Sequence, residues 1–288
     1  MAFRSGRCRP PARHGISLDG VLRLRDGRTG SYVELAADPS IPLRVWIHGP
    51  SAGPGFGLAD LRVLLVADVL TRSAELRGLQ VIAVLTTVGL PPGPLAALER
   101  NASALGIHPP AARTSPGEAE ALLGGSADVH VAGHAAGSGD YRDGVLIYVG
   151  SADDVTQQAA SGRAAEPAVS AGDRPDLLAL RLVLLSGRPG QPVELTRAAL
   201  AGAGQTLSRW RRRVAEWADG PSKPIPPEVA REIGIAFDDD LNTVAALTVL
   251  HKVETDHGMH TGAKFETFAF ADRILGLELV REIGRPRQ

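Results

Sequence analysis

The sequence predicts an α/β domain followed by an all-helical domain, and three observations support this fold class. Two apolar, β-branched runs, at 43–49 and 79–88, flank a helical repeat of apolar residues. A glycine-rich stretch joins the first run to that repeat. Long helical patterns, separated by breaks rich in Gly and Pro, fill the chain from residue 176 onward. This change of period divides the chain into predicted domains at 1–175 and 176–288.

The α/β half opens with a predicted strand–helix–strand unit. "LRVWIHG" (43–49) is an apolar run that ends at Gly-Pro, as a buried strand does before a turn. A helix over 58–76 follows, with Gly78 as its C-terminal stop, and "LQVIAVLTTV" (79–88) forms the next strand. Because both strands are continuously apolar, we expect them to be adjacent and parallel in a Rossmann-like sheet, with a cleft beside Gly49 to Asp60.

Shorter patterns predict the remaining elements. Strands at 127–133 and 144–150 and short helices at 94–105 and 116–123 complete the α/β half. The stretch 151–174 is small and polar and predicts a loop or a flexible insert. The second half is predicted as four helices, at 176–186, 193–218, 226–254 and 262–283.

The composition predicts a soluble globular protein. The chain has 288 residues, 44% of them hydrophobic, and a formal net charge of −1. This balance disfavours a dedicated nucleic-acid binder, which usually carries a basic excess. No apolar run approaches the roughly 20 residues of a membrane span, and the basic start lacks the apolar segment of a secretory signal, so we expect a cytoplasmic protein. Cys8 is the only cysteine, which excludes an internal disulfide and a two-cysteine metal site.

Several stretches, in both halves of the chain, match stretches of one enzyme family and follow one another in the same order. In the first half they are "LRLRDGRTGSYVEL", "RVWIHGPS" and "DVLTRSAELRGLQVIAV"; in the second they are "LLALRLVLLSG", "FDDDLNTVAALTVLHKV" and "RILGLEL". These stretches resemble the class I aminoacyl-tRNA synthetases, specifically the cysteinyl enzyme and the related cysteine ligase of mycothiol biosynthesis. The resemblance spans nearly the whole chain and is most specific at 237–250. It implies a class I synthetase catalytic domain followed by a helical bundle.

The acidic run "DDDLNT" (238–243) belongs to the stretch that resembles the family most closely, and it also predicts a local structure. Carboxylates in the N-terminal region of a helix interact favourably with the helix macrodipole. We therefore predict a structural role for this run.

The resemblance implies that ATP phosphates lie at the loop after the first strand, where the family carries a His-Ile-Gly-His signature. That signature falls here on Gly57, Leu58, Ala59 and Asp60, so neither histidine is present and Asp60 brings a negative charge. Backbone N–H groups at a glycine-rich helix N-terminus stay available, so we expect weak nucleotide binding without phosphate activation. The candidate nucleotide-binding residues are His48, Gly49, Pro50, Ser51, Gly57, Asp60 and Arg62, and no catalytic residue is assigned.

Two further parts of the family's ATP pocket are altered. The Lys-Met-Ser-Lys-Ser signature, which supplies mobile cations to the leaving pyrophosphate, would fall near 155–165. No lysine precedes Lys223, and Arg163 is a different kind of donor. The acids of the polar segment after the second strand are replaced by Gly89, Pro91 and Pro92. The pocket chemistry is therefore lost at separate places, while the packing pattern is kept.

Zinc, which the family uses to capture the cysteine thiolate, is not expected. His48 stands where the first zinc-binding cysteine would be, and no second cysteine exists. Two interpretations of the histidines stay open. Either His48, His130 and His134 form a new metal site, or His48 is a strand-end histidine beside the cleft.

A tRNA partner is not expected either. The chain stops soon after "LGLEL", without the anticodon-reading tail of the family. The basic cluster "RWRRR" (209–213) could contact phosphates, or it could be a solvated face with Trp210 and Trp217 packed beneath it. A small nucleotide, an amino acid or a protein partner is compatible with the sequence.

The lost signatures predict a non-catalytic binding or regulatory relative of cysteinyl-tRNA synthetase. The competing hypothesis is a working ATP-dependent ligase, of the synthetase or the amino-acid:amine ligase type, that forms an adenylate with different residues. A cysteine ligase of thiol biosynthesis would need zinc thiolates that this chain lacks. Amino-acid-dependent ATP–pyrophosphate exchange separates these hypotheses.

Overall fold

The computed structural model describes residues 20–35, 38–50, 56–133, 141, 143–155 and 177–284. Predictions on Cys8, Ser51, His134, Arg163 and most of the loop 151–174 lie outside these residues. The strands are β1 Arg23–Arg25, β2 Tyr32–Glu34, β3 Leu43–His48, β4 Val81–Thr86, β5 Ala112–Thr114, β6 Val129–Gly133, β7 Val145–Val149, β8 Ala152–Asp154 and β9 Val193–Leu195. The helices are α1 Leu58–Glu75, α2 Pro92–Ala104, α3 Ala119–Leu123, α4 Leu177–Leu184, α5 Arg197–Trp217, α6 Pro227–Asp238, α7 Thr243–Thr255 and α8 Thr261–Leu275.

Five parallel strands form the central sheet, in the order β5-β4-β3-β6-β7. β3 pairs with β4 from Leu43↔Val81 to His48↔Thr86, and it pairs with β6 on its other side. The predicted pair of adjacent parallel strands is therefore confirmed, and with it the α/β class with a Rossmann-like sheet. The strand order reverses at β3, because the chain leaves it toward β4 and later returns to its other side as β6.

Successive side chains of β3 point to opposite faces of the sheet. Leu43, Val45 and Ile47 are buried in the same hydrophobic core as α1, whereas Trp46 and His48 lie on the opposite face. α1 is buried at every position from 61 to 70, because it contacts both the sheet and α8. A helix covered on both sides has no wide polar stripe, which explains why its apolar pattern is nearly continuous.

A buried ion pair joins α1 to the helical half. Asp68 Oδ2 lies 2.6 Å from a guanidinium nitrogen of Arg181 and 2.9 Å from Nε of Arg72. Arg181 also donates to the carbonyl oxygens of Leu275 and Leu105. One hydrophobic cluster includes residues of both halves. The change near residue 175 is therefore a change of secondary structure, and a boundary between two domains at that point stays a prediction.

Two short strands lie where a loop and a helix were predicted. Ala152–Asp154 and Val193–Leu195 pair in parallel, so β8 lies at the start of the predicted loop 151–174 and β9 at the start of the predicted helix 193–218. α5 begins only after β9, with the Thr196 hydroxyl accepting the N–H of Ala199 at 3.0 Å. Those two assignments were wrong for these residues, because the pairing comes from distant parts of the chain.

The last predicted helix, 262–283, is too long. α8 ends at Leu275 because Gly276 adopts a left-handed φ of 61° and terminates it. On α5, in contrast, the predicted helical period holds, with Trp210 and Trp217 on the buried face. Among the helices of the described residues, none has both the length and the apolar character needed to span a membrane.

The predicted helix 226–254 divides into α6 and α7 at the acidic run. Asp240 and Leu241 have φ values of 56° and 51°, which an α-helix does not accommodate. α7 begins afresh at Thr243, and the side chain of Asn242 accepts the N–H of Ala245 at 3.1 Å. Asn242 is therefore the N-cap within this run.

The three carboxylates of the run bind other parts of the chain, which gives the run the predicted structural role, and their interaction with the macrodipole of α7 stays a prediction. Asp238 is the last residue of α6 and pairs with Arg77 at the end of α1. Asp239 lies 3.0 Å from Arg188, and Asp240 accepts the N–H of Arg25 at 3.0 Å. The run thus attaches the connection between α6 and α7 to β1, to the chain just after α1 and to the turn before β9.

Candidate functional site

The candidate site lies at the carboxyl ends of β3 and β6, where the strand order reverses. A crevice forms at such a point because the neighbouring crossovers leave in opposite directions. β3 ends at His48, which is followed by Gly49 and Pro50, and α1 begins with Gly57 as its N-cap. The candidate residues of the sequence analysis that the structure describes are all on these segments.

His48 and His130 form the centre of the site. Nε2 of His48 lies 3.0 Å from Nδ1 of His130, so one nitrogen carries a hydrogen and the other accepts it. Burial, and secondarily the neighbouring His130, lowers the pKa of the His48 imidazole from 6.5 to about 3. Burial also lowers the pKa of His130. Both imidazoles are therefore uncharged at neutral pH. They can form hydrogen bonds with a ligand, but they carry no positive charge.

Aromatic side chains that the sequence analysis missed hold this pair. Trp46 stacks on His48 with ring centroids 5.1 Å apart, and its Nε1 donates to Thr86 Oγ1 at 2.9 Å. Tyr141 meets His48 and His130 edge-on, with centroids 4.9 and 5.4 Å away. Trp46 could have been found, because it stands two residues before His48 on a strand and so shares its face. Tyr141 offered no such signal, since it comes from the segment between β6 and β7.

The turn between β1 and β2 anchors the segment that carries Tyr141. Arg28 in this turn donates to the carbonyl oxygens of Tyr141 and Gly144. It also pairs with Asp26 at 2.8 Å, and this hydrogen-bonded arginine lowers the pKa of the Asp26 carboxyl. The hairpin near the start of the chain therefore positions one wall of the site.

Gly49 and Pro50 keep the chain close to β4 beyond the end of β3. The Gly49 N–H donates to the Thr86 carbonyl at 2.8 Å, and a Cβ at position 49 would lie 2.8 Å from that same oxygen. Glycine is required for this close approach. Pro50 is buried, and its carbonyl accepts the N–H of Val88 at 3.5 Å. The next candidate, Ser51, lies outside the described residues.

The N-terminus of α1 is capped by a carboxylate of its own first turn. Oδ2 of Asp60 accepts the Gly57 N–H at 2.8 Å, as the third residue does in a capping box. A negative charge at this end interacts favourably with the helix dipole and disfavours a second anion beside it. A Cβ at position 57 would meet no atom of the described residues within 4 Å, so their packing does not require glycine there.

Arg62 is the cation among the candidate residues, and it is fully buried. Its guanidinium donates to the carbonyl oxygens of Gly150, Ser151, Arg188 and Gln191. Its Nε has no hydrogen-bond partner among the described residues. Burial lowers its pKa to about 10, which leaves it charged at neutral pH. The cation is thus held by main-chain oxygens of the segments around β8 and before β9.

The structure describes two of the three histidines proposed as a metal site. His48 and His130 come together, whereas His134 lies outside the described residues. Across the part of the chain that is described, no three His, Cys, Asp or Glu side chains converge as a possible metal site. The position of His48 as the last residue of β3 agrees with the strand-end interpretation.

The basic cluster 209–213 lies on α5 above buried tryptophans. Trp210 is 0% exposed and Trp217 is 7% exposed. Arg209 pairs with Glu254 at 2.8 Å, and Arg211 is buried, donating to the carbonyl of Leu277 at 2.7 Å. The tryptophans are thus buried, as the second sequence interpretation describes, but Arg211 is buried as well and is not part of a solvated face.

Comparison with known proteins finds relatives among cysteine ligases. The chain is 36% identical over 114 residues to the cysteine–tRNA ligase of Xanthobacter autotrophicus, which is 38% of this chain and 24% of the ligase. The cysteine–tRNA ligase of Azorhizobium caulinodans is 33% identical over 102 residues, 34% of this chain and 21% of the ligase. The L-cysteine:1D-myo-inositol 2-amino-2-deoxy-alpha-D-glucopyranoside ligase of Streptomyces griseus is 36% identical over 108 residues, 36% of this chain and 25% of the ligase.

These matches confirm the resemblance over part of the chain. Over about a third of its length, the chain is homologous to cysteine–tRNA ligases and to the cysteine:amino-sugar ligase. The aligned part covers about a quarter of each relative or less. No protein-family model matches the chain.

Proposed function

We propose that this protein is a cysteinyl-tRNA-synthetase-like protein that binds a ligand without forming an adenylate, and that it acts as a binding or regulatory relative of the ligases. The observation that carries the proposal is the Asp60 carboxylate at the N-terminus of α1, which accepts the Gly57 N–H. Adenylate formation needs positive charge or preorganised donors where negative charge develops on the leaving pyrophosphate. A carboxylate at that place has the opposite effect.

The neighbouring groups support the same proposal. His48 and His130 are uncharged at neutral pH because burial lowers the pKa of each. The Arg62 guanidinium is engaged by main-chain carbonyl oxygens. Among the described residues, backbone N–H groups of the first turn of α1 remain as donors for an anion, and such groups bind anions modestly. We therefore propose weak binding of an adenosine nucleotide, with a Kd of roughly tens of micromolar to millimolar, or about 4–6 kcal/mol.

Other parts of the proposal rest on the sequence. A cytoplasmic location agrees with the composition, and no tRNA or zinc is included. A protein partner would be the remaining role of the scaffold if no small ligand binds.

Calorimetric titration with ATP and with a non-hydrolysable cysteinyl-adenylate mimic tests the proposal. Gly57→Leu changes access to the helix N-terminus at a position where a Cβ meets no described atom within 4 Å. Gly202→Leu, at a similarly open position on α5, is the matched control. We expect weak, saturable binding of ATP that Gly57→Leu reduces and Gly202→Leu preserves. Nanomolar affinity for the adenylate mimic would contradict the proposal, and no heat with either ligand at millimolar concentration would leave only the protein-partner role.

A second candidate function is an ATP-dependent ligase that acts through an adenylate. The identity to proteins named as cysteine–tRNA ligase and as a cysteine:amino-sugar ligase favours it. Such an activity would have to stabilise the leaving group with residues other than the two signature histidines, whose positions hold Gly57 and Asp60.

A further inference from the structure

A cavity lies between α1 and α2, on the face of the sheet opposite to His48. Its volume is about 530 Å³, within the range of pockets that hold small ligands. Val81, Ala83 and Leu85 of β4 line its floor, and Leu64 of α1 and Leu98 of α2 line its sides. It includes none of the candidate nucleotide-binding residues, so a ligand in this cavity would be independent of the proposed function.

Several of the side chains that line this cavity are small. Ala67, Ala83, Ala102 and Ala111 line it from α1, β4, α2 and the segment before β5. Interiors between helices and a sheet are normally filled at crystal-like density by larger side chains. The cavity is partly open to solvent, so a bound molecule would cover apolar surface that otherwise contacts water.

The charged and polar side chains that line the cavity indicate which charge and which hydrogen-bonding group a ligand would need. Asp68 is already neutralised by two arginines, and Arg113 is paired with Glu99, while Glu75 is exposed to solvent. These groups give no net preference for a charged ligand. His108 lines the cavity with a side chain that is 61% exposed, and its Nδ1 lies 3.1 Å from Asp68 Oδ1. In the neutral imidazole whose Nδ1–H donates to this carboxylate, Nε2 is the acceptor.

From this geometry we propose that the cavity binds a neutral, mainly apolar molecule that carries one hydroxyl group, such as a phenol or a fused-ring alcohol. The apolar walls accept the ring system by burial of its surface. The hydroxyl donates to Nε2 of His108, which fixes the orientation of the ligand. Pockets for small molecules typically combine a large apolar wall with a few polar groups that point toward the ligand.

Fluorescence titration of the full chain with 2-naphthol and with 2-methoxynaphthalene tests the site. The ether keeps the ring system but has no hydrogen to donate. We expect saturable binding of 2-naphthol, and binding of the ether that is about tenfold weaker because one hydrogen bond is lost. Amide NMR shifts caused by 2-naphthol should concentrate in the segments that line the cavity, which are 64–75, 81–85 and 98–113. Equal affinities would overturn the hydroxyl assignment, and the absence of saturable naphthol binding, or shifts elsewhere in the chain, would overturn the site.

Variants separate this cavity from non-specific binding. Ala102→Leu fills the cavity from α2, and Ala201→Leu makes the same change at an exposed position of α5. We expect Ala102→Leu to weaken 2-naphthol by at least about tenfold, by removing space for the ring, and to leave Tm unchanged or raised. His108→Phe should lower the affinity for 2-naphthol to that of the ether. Naphthol binding that Ala102→Leu leaves intact would contradict the proposal; if this variant does not fold, the naphthol-to-ether ratio and the amide shifts still decide.

Discussion

At the scale of single residues, His48 makes stability depend on pH. Its folded-state pKa of about 3 lies below the usual 6.5, because burial and the neighbouring His130 disfavour the charged form. Below pH 6.5 the unfolded chain takes up a proton that the folded chain does not, so its contribution is complete above pH 6.5 and falls toward pH 3. We expect the free energy of unfolding in urea to fall by about 1–2 kcal/mol between pH 7 and pH 5.

A pair of variants isolates this effect. His48→Asn should reduce the pH slope, whereas His257→Asn, at an exposed position, should preserve it. The same slope in both variants would mean that the His48 imidazole is not held neutral in the folded protein.

Asp60 is the second residue with a distinct test. In Asp60→Asn the side-chain oxygen can still accept the Gly57 N–H, but the negative charge is gone. We expect ATP to bind up to about tenfold more tightly in calorimetry, while unfolding changes by less than about 1 kcal/mol. Glu228→Gln, in the first turn of α6, is the control for the same loss of charge. An ATP affinity unchanged by Asp60→Asn would show that this carboxylate is not what weakens the site.

At the scale of elements, the Asp68–Arg181 pair should determine how firmly α1 holds the helical half. Both side chains are 0% exposed, so Asp68→Asn leaves buried arginines without a counter-charge. We expect a loss of about 3–5 kcal/mol in the free energy of urea unfolding. Glu216→Gln, which breaks the exposed Arg213 pair, should cost less than about 1 kcal/mol. Similar costs for both variants would contradict the structural role of the buried pair.

The connection between α6 and α7 is the second element with a direct test. Asp240 combines a left-handed φ of 56° with a hydrogen bond accepted from the Arg25 N–H. Asn tolerates that φ and keeps an acceptor, whereas Ala does neither. We expect Asp240→Ala to lower the free energy of unfolding by about 1–3 kcal/mol, and Asp240→Asn to stay within about 1 kcal/mol. Equal losses would mean that the carboxylate's hydrogen bond does not hold this connection.

At the scale of the whole molecule, the sequence predicts those features that depend on local pattern. β3 and β4 could be predicted because strands that are covered on both faces form continuous apolar runs. β8 and β9 have three residues each and pair across about forty positions of the chain, so no local signal marks them. The end of α6 was missed because its left-handed residues are Asp and Leu, without the glycine that usually marks such a turn.

The candidate site, too, has features that the local sequence predicts and features that depend on distant parts of the chain. His48, Gly49, Gly57 and Asp60 were found because they stand at a strand end and a helix start in one stretch of chain. Their contacts with His130 and Tyr141 depend on how β6 and the following segment are placed in the sheet. Burial of Arg62 depends on carbonyl oxygens nearly ninety or more residues away, which no spacing rule could reveal.

Amino-acid-dependent ATP–pyrophosphate exchange, measured over the standard amino acids, tests the central claim most directly. The claim is that the protein keeps the scaffold and a weak ligand site but forms no adenylate. We expect no exchange above that of a His48→Asn variant purified in the same way, with cysteine or with any other amino acid. Exchange that depends on one amino acid and is lost in His48→Asn would show that this site forms an adenylate, and would contradict the claim.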